Sequence, residues 1–205
     1  MHLAELSVVV TNYNYGRYLA RCLRSILSQD IERNLFEIIL VDDGSTDDSM
    51  QIAEIFESEI TIIQNSINRG LSKSSNLGIQ KARGRYVTRI DSDDYVHSNF
   101  VRTLLVGFEL LGKEFQAVSV DYHKVDEIGN FLTYGDAEQE PIACGIGFKM
   151  DAISSLGYYN DNLRVNEEVD LRRRFDEASF SIRNIKLPLY RYVQHDKSLS
   201  RKVLI

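Results

Sequence analysis

The sequence predicts an α/β fold of the Rossmann-like, doubly wound kind: a mostly parallel sheet with helices on both faces and a less regular C-terminal half. Two observations carry this. Over the first half of the chain, short β-branched runs alternate with amphipathic segments of roughly ten residues, the rhythm of consecutive βα units. The two richest acidic turns also fall directly after strand-like runs, where such a sheet gathers its ligand-binding loops.

The elements follow in order. Leu6 to Val10 reads Leu-Ser-Val-Val-Val, a run suited to a strand buried on both faces. From Tyr18 to Leu27, the residues Tyr18, Leu19, Cys22, Leu23, Ile26 and Leu27 recur at helical spacing, with Arg17, Arg21, Arg24 and Ser25 opposite them. Phe36 to Val41 is a second strand. The polar turn Asp42-Asp43-Gly44-Ser45-Thr46-Asp47 follows, and its last residues are placed to cap a helix from about Asp48 to Ser58. Ile60 to Ile63 is a third strand, Leu71 to Lys81 a helix ended near Gly84, and Arg85 to Ile90 a fourth strand that runs straight into Asp91-Ser92-Asp93-Asp94. Beyond Asn99 the pattern loosens. A helix to about Leu111 precedes Ala117 to Lys124, which Asp126 to Asn130 joins to Phe131-Leu132-Thr133-Tyr134 as a hairpin. Ala143 to Lys149, interrupted by glycine, reads as strand or loop, Glu167 to Ala178 as a helix, and Ile182 to Val193 closes the fold.

At 205 residues with 43% apolar content, the chain suits a single core, so one domain is expected over 1–205, with a regular half over about 1–97 and a less regular half over about 98–205. Only Pro141 and Pro188 interrupt it, and no linker, low-complexity segment or internal repeat divides it. The net charge of -6 is spread without a basic face, which argues against nucleic-acid binding. Cys22 and Cys144 have no metal-ligand spacing, so two buried thiols in a reducing, cytoplasmic compartment are expected. With no secretory leader pattern and no apolar run of ~20 residues, the chain is expected to be soluble or peripheral at the inner face of a membrane.

Asp42, Asp43, Asp91, Asp93 and Asp94 would all lie near one crevice if the sheet is parallel. Such crowding costs free energy unless something positive binds there. A hard divalent cation satisfies carboxylates and accepts phosphate oxygens as further ligands, so a nucleotide diphosphate with Mg²⁺ or Mn²⁺ is the natural occupant. Asp-rich turns also serve as helix caps and solvated loops, so the triplet taken alone is weak.

The triplet is not alone. Ser7-Val8-Val9-Val10-Thr11-Asn12-Tyr13-Asn14, Tyr18-Leu19 and Cys22-Leu23-Arg24-Ser25-Ile26-Leu27 resemble the start of family 2 glycosyltransferases. Glu37 to Asp47 resembles the family's second-strand signature, Asn68-Arg69-Gly70 through Gly84 the segment before its DxD motif, and Asp91-Ser92-Asp93-Asp94 the motif itself. The likeness is dense in the first half and scattered in the second.

The resemblance implies a GT-A fold and an inverting, metal-dependent transfer of a sugar from a nucleotide-diphosphate donor, with UDP-sugars the prior, to a glycan or lipid-linked acceptor. Carried over by position, it implies that about 1–97 is the nucleotide-sugar-binding half and about 98–205 the acceptor-binding half, that Thr11 and Tyr13 line the nucleotide pocket and that Asp43 accepts a hydrogen bond from the base; Asp42 is then the capping or structural one of that pair. It further implies that Asp93 is the main metal ligand, that Asp91 contacts ribose or metal-bound water, and that Asp94 holds the acceptor side or the loop. Glu167-Glu168-Val169-Asp170-Leu171 with Arg174 matches the family's Glu-Asp pattern with Glu in place of Asp, so the base is Glu168, with Asp170 the alternative. His195, in the tail pattern Tyr190 to Ser200, would complete the metal or diphosphate site. Where many relatives carry Ala-Arg-Asn, this chain has Ser74-Ser75-Asn76, leaving Lys73 as a donor-side cation or a solvated helix lysine. Two other readings remain: a non-catalytic nucleotide-sugar-binding module, and a sugar nucleotidyltransferase, although Thr11 to Tyr15 is unlike that class's Gly-rich phosphate loop.

Overall fold

The computed structural model describes residues 4–110, 114–163 and 166–196. The first half is built as the alternation predicts. Strands β1 (Leu6–Asn12), β2 (Phe36–Asp42), β3 (Thr61–Gln64) and β4 (Tyr86–Asp91) are mutually parallel in the order β3-β2-β1-β4. Helices α1 (Gly16–Leu27), α2 (Ser49–Glu54) and α3 (Leu71–Lys81) connect them. Because side chains alternate along a strand, β1 feeds two cores. Leu6, Val8 and Val10 pack with Leu19, Leu23 and Ile26 of α1, whereas Val9 packs on the other face with Ile79 of α3. Gly78 allows that close approach, since a Cβ there would sit 2.4 Å from a Val9 methyl.

The second half supplies β5 (Tyr95–Val96), α4 (Phe100–Leu110), β6 (Ala117–Val125), β7 (Phe131–Gly135), β8 (Ile146–Lys149), α5 (Met150–Ser155), α6 (Glu167–Glu177) and β9 (Ile182–Val193). The sheet continues from β4 as β8-β6-β9-β5, and the antiparallel pairings all involve this half, while β9 runs parallel to β6. α4 joins α1 on one face, and Leu171 and Phe175 of α6 join α3 on the other. Both faces are thus covered by helices, as expected. Among the described residues no helix is long and apolar enough to cross a membrane.

One local expectation needs correction, and two short elements carried no signal in the sequence. The helix expected from Asp48 to Ser58 stops at Glu54, because the amides of Ile55, Phe56 and Glu57 turn to carbonyls three residues back and wind Phe56 and Ile60 inward. Ala143 to Lys149 resolves into loop and then β8, which passes without a polar turn into α5, a helix the sequence pattern did not signal. The two-residue β5 was equally silent. Leu111, the expected end of α4, lies outside the described residues. The hairpin is present, its turn tied by Asp126, whose carboxylate accepts the backbone N–H groups of Ile128 and Asn130.

Candidate active site

Register sets the site. Asn12 pairs with Asp42 and Thr11 with Asp91, so the carboxyl ends of β1, β2 and β4 finish at one level. The structure then sorts the five clustered aspartates. Asp42 is consumed by its own turn, accepting hydrogen bonds from Asn12 Nδ2 (2.9 Å), Ser45 Oγ (2.6 Å) and Ser45 N–H (3.0 Å). Asp43 holds the 65–70 segment, accepting from Asn65 Nδ2 (2.9 Å) and from the N–H groups of Arg69 and Gly70 (2.8 Å each). Asp94 accepts from the Tyr190 hydroxyl (2.6 Å) and Val193 N–H (2.7 Å), which fastens the turn after β4 to β9. Burial, and then its acidic neighbours Asp93 and Asp91, push the Asp94 carboxyl well above the usual range. The picture of five carboxylates open to one crevice is therefore corrected. Asp42, Asp43 and Asp94 each tie loops together, whereas Asp91 lies against Arg89 and Thr11 and Asp93 against His195.

Asp93 lies beside His195, Oδ2 to Nε2 at 2.9 Å, with the imidazole buried and stacked on Tyr18 at 4.8 Å between ring centroids. Tyr15 meets the same ring edge-on at 5.5 Å. Burial, reinforced by Asp93 and Asp91, drives the Tyr15 hydroxyl far above its ordinary range, so the wall of the site stays neutral. Residues Lys197 to Ser200 of the tail pattern lie outside the described residues. A hard carboxylate and an imidazole at this separation suit two cis positions on one divalent ion, and the mixed O/N set favours Mn²⁺ over Mg²⁺. Among the described residues no three His, Cys, Asp or Glu side chains converge as a complete metal cage. An ion here would need diphosphate or water oxygens to fill its shell, as expected of a site that binds metal and nucleotide together.

The acidic first turn of α6 divides three ways. Glu167 is buried against Arg89, Oε1 to Nη1 at 3.0 Å. Asp170 accepts from Arg174 Nε (2.8 Å) and Arg173 Nη2 (3.1 Å). Burial opposes its ionised form, but those two guanidinium bonds prevail and hold its pKa below the usual carboxylate value. Glu168 is half-buried beside the apolar side chains of Tyr159, Leu171 and Phe175, and burial raises its pKa, with Glu167 adding to the effect. Of the two carboxylates weighed as base, Glu168 is thus the more basic and the less committed. Arg174, spaced as in the family pattern, also donates to the carbonyls of Leu156 and Tyr158 and so braces the turn beneath α6.

On the donor side, Thr11 is buried with its hydroxyl 3.4 Å from Asp91 Oδ1, and Tyr13 is 44% exposed, which excludes core packing. Lys73 is exposed on α3, and nothing in the structure distinguishes it from a solvated lysine. Sequence reasoning missed Arg89. Its signal was a charged residue inside an otherwise uncharged, buried strand, Tyr-Val-Thr-Arg-Ile. It also missed the aromatic walls around His195, because Tyr18 read as part of the apolar face of a helix and Tyr15 carried no assignment.

Comparison with known proteins bears on the family and the fold. Residues 7–174 match the family model described as Glycosyl transferase family 2. The glycosyltransferase GlyG of Streptococcus pneumoniae is 39% identical over 133 residues, 63% of this chain and 43% of that protein, so the chain spans less than half of this relative. The fold resembles the crystal structure of S. aureus TarS 1–349 in complex with UDP-GlcNAc (TM-score 0.83, 19% identity, 98% of this chain and 62% of that one). It also resembles the mannosyltransferase PcManGT from Pyrobaculum calidifontis in complex with GDP-Man and Mn²⁺ (TM-score 0.74, 17% identity, 98% and 60%). At these identities the structural likeness speaks for the fold.

Proposed function

The chain belongs to glycosyl transferase family 2 and has its GT-A fold, and from that premise we propose that it transfers a sugar from a UDP-sugar to an acceptor hydroxyl on a glycan or lipid-linked glycan, with inversion at the anomeric carbon. The observation that carries the reading is the pairing of Asp93 with His195 at the carboxyl end of β4, with Glu168 half-buried on α6 within electrostatic range of Asp91. Asp93 and His195 would hold Mn²⁺ or Mg²⁺, which would supply charge neutralisation for the diphosphate leaving group. Thr11 and Tyr13 border the nucleoside, Asp91 faces the ribose or a water, and Asp43 acts on the base side while fixing the 65–70 segment.

Glu168 accepts the proton of the acceptor hydroxyl as the new bond from its oxygen to the anomeric carbon forms and the bond to the diphosphate oxygen breaks. A carboxylate with a raised pKa is a stronger base than an ordinary one and takes that proton more readily. Glu is one methylene longer than the Asp usual at this place and so reaches ~1.5 Å further. The catalytic unit is a single domain whose two halves share one sheet, and the absence of a membrane-spanning helix among the described residues is compatible with peripheral attachment. The test is UDP release from UDP-GlcNAc and related donors in the presence of Mn²⁺, with and without glycan acceptors. A donor-dependent rise in melting temperature without any nucleotide release would replace the transferase with a binding module.

A further inference from the structure

Arg89 occupies a position a parallel strand does not ordinarily give to a charge. Its side chain is 2% exposed, on the face of β4 that also carries Val87 into the core shared with α6. Removing a guanidinium from water is costly, so each of its contacts matters. Among the described residues there are three: Nη1 donates to Glu167 Oε1 at 3.0 Å, Nε lies 3.2 Å from Asp91 Oδ1 at ion-pair distance without hydrogen-bond alignment, and the guanidinium carbon sits 5.1 Å from the Tyr159 ring centroid. Burial disfavours its charge, but Asp91, and further on Glu167, outweigh that and keep it protonated.

The other end of this bridge is weakly secured by its own helix. α6 begins at Asn166 in the left-handed region (φ 61°), with no side-chain cap. Its first turn gathers Glu167, Glu168 and Asp170, and the hydrophobic anchors Leu171 and Phe175 come later. An uncapped turn frays readily. Here the buried Glu167 is held across to the strand that ends in Asp91, and the neighbouring residue is Glu168.

We infer that Arg89 is a positioning residue that, through Glu167, locks the first turn of α6 to the end of β4 and so fixes Glu168 relative to the donor site. The inference rests on the reading of Glu168 as base. It explains why a buried ion pair is kept where an apolar pair would serve stability as well. The Asp91 contact gives the same guanidinium a hold on both sides of the reaction centre, one carboxylate on the donor strand and one on the helix carrying the base.

The experiment uses Arg89→Met, Glu167→Gln, their double variant and Arg89→Lys, each assayed for UDP release from UDP-GlcNAc with Mn²⁺ and for hydrogen exchange of the 167–171 amides. The double variant leaves no unpaired buried charge and keeps the test alive if a single variant does not fold. The expected result is a loss of kcat of ~10²-fold in Arg89→Met with KM within about twofold, the order a misplacement of about 1 Å produces. The double variant should lose no more than either single one, since one tether is being cut. Arg89→Lys should recover at least about tenfold, and exchange at 167–171 should quicken in Arg89→Met and in the double variant. Unchanged exchange or wild-type kcat in a folded double variant overturns the tether, as do additive losses. Glu168→Gln serves as the control: wild-type turnover there refutes the base, and the exchange data still decide whether Arg89 fixes the turn.

Discussion

At the scale of single residues, the site turns on which carboxylates are already committed. Asp93 and His195 share one contact, and an amide in place of the carboxylate keeps the shape but removes the charge that a divalent ion needs beside a diphosphate. Asp93→Asn is therefore expected to fold normally and to lose Mn²⁺-dependent binding of UDP. Titration calorimetry checks this, and unchanged Mn²⁺-dependent affinity would take the triplet out of the metal site. Glu168→Gln should lower kcat by ~10²–10⁴-fold with donor affinity nearly unchanged. Because burial raises the Glu168 pKa, the base is lost as pH falls through a value above the unperturbed ~4.3, so kcat should rise with pH across a midpoint above that figure. A midpoint at or below it would point to another group. Asp170→Asn should leave kcat within a few-fold and act on stability instead. The Asp170 pKa is depressed, so its contribution is present above the unfolded carboxylate value and disappears as pH falls through the folded one. The variant should melt below wild type at neutral pH, by an amount reflecting helix pairs of about 0.3–0.5 kcal/mol each, and the gap should close in acid.

At the scale of elements, two contacts between segments decide how the donor side is shaped. Asp43 sits at the end of β2 but spends three hydrogen bonds on the 65–70 segment that leads into α3. Asp43→Ala is expected to weaken UDP binding by about 1.5–3 kcal/mol while leaving the metal dependence of the residual binding intact, and to speed hydrogen exchange at Arg69 and Gly70. If Asp42→Ala weakens binding and Asp43→Ala does not, the wrong aspartate has been assigned. α3 lies directly on β1, so Gly78→Ala would drive a methyl to within 2.4 Å of Val9 Cγ1 and 3.1 Å of Val41 Cγ2. Overpacking of this kind costs about 1–3 kcal/mol, or ~2–4 °C of melting temperature per kcal/mol in a chain of this size. A melting curve that does not move would show that α3 can slide on the sheet.

At the scale of the whole molecule, β8 inserts between β4 and β6 and makes one continuous sheet of the two halves of the chain. We expect one cooperative unfolding transition, with calorimetric and van't Hoff enthalpies that agree. Two resolved transitions would divide the chain into separate domains. Mn²⁺ and UDP together should raise the melting temperature more than the sum of each alone, because each completes the other's site, and a chelator should abolish the increment.

Much of this architecture was legible in residue order because its causes are local. β-branched runs and helical spacing mark β1 to β4, α1 and α3 without reference to anything distant, and the ordered motifs around Asp43 and Asp93 identify the family. Where a strand runs directly into a helix, as β8 into α5, no turn chemistry announces the change, and where apolar residues must reach the core, as Phe56 and Ile60 do, packing overrides the helical period. The site shows the same division. Sequence alone placed five aspartates near one crevice, but a carboxylate's availability depends on which donors reach it, and those donors come from residues far along the chain: Asn65, Arg69 and Gly70 for Asp43, Tyr190 and Val193 for Asp94. Only the tertiary structure could bring Arg89 against Glu167, because that pair spans 78 positions of sequence and exists only once β4 and α6 share a core.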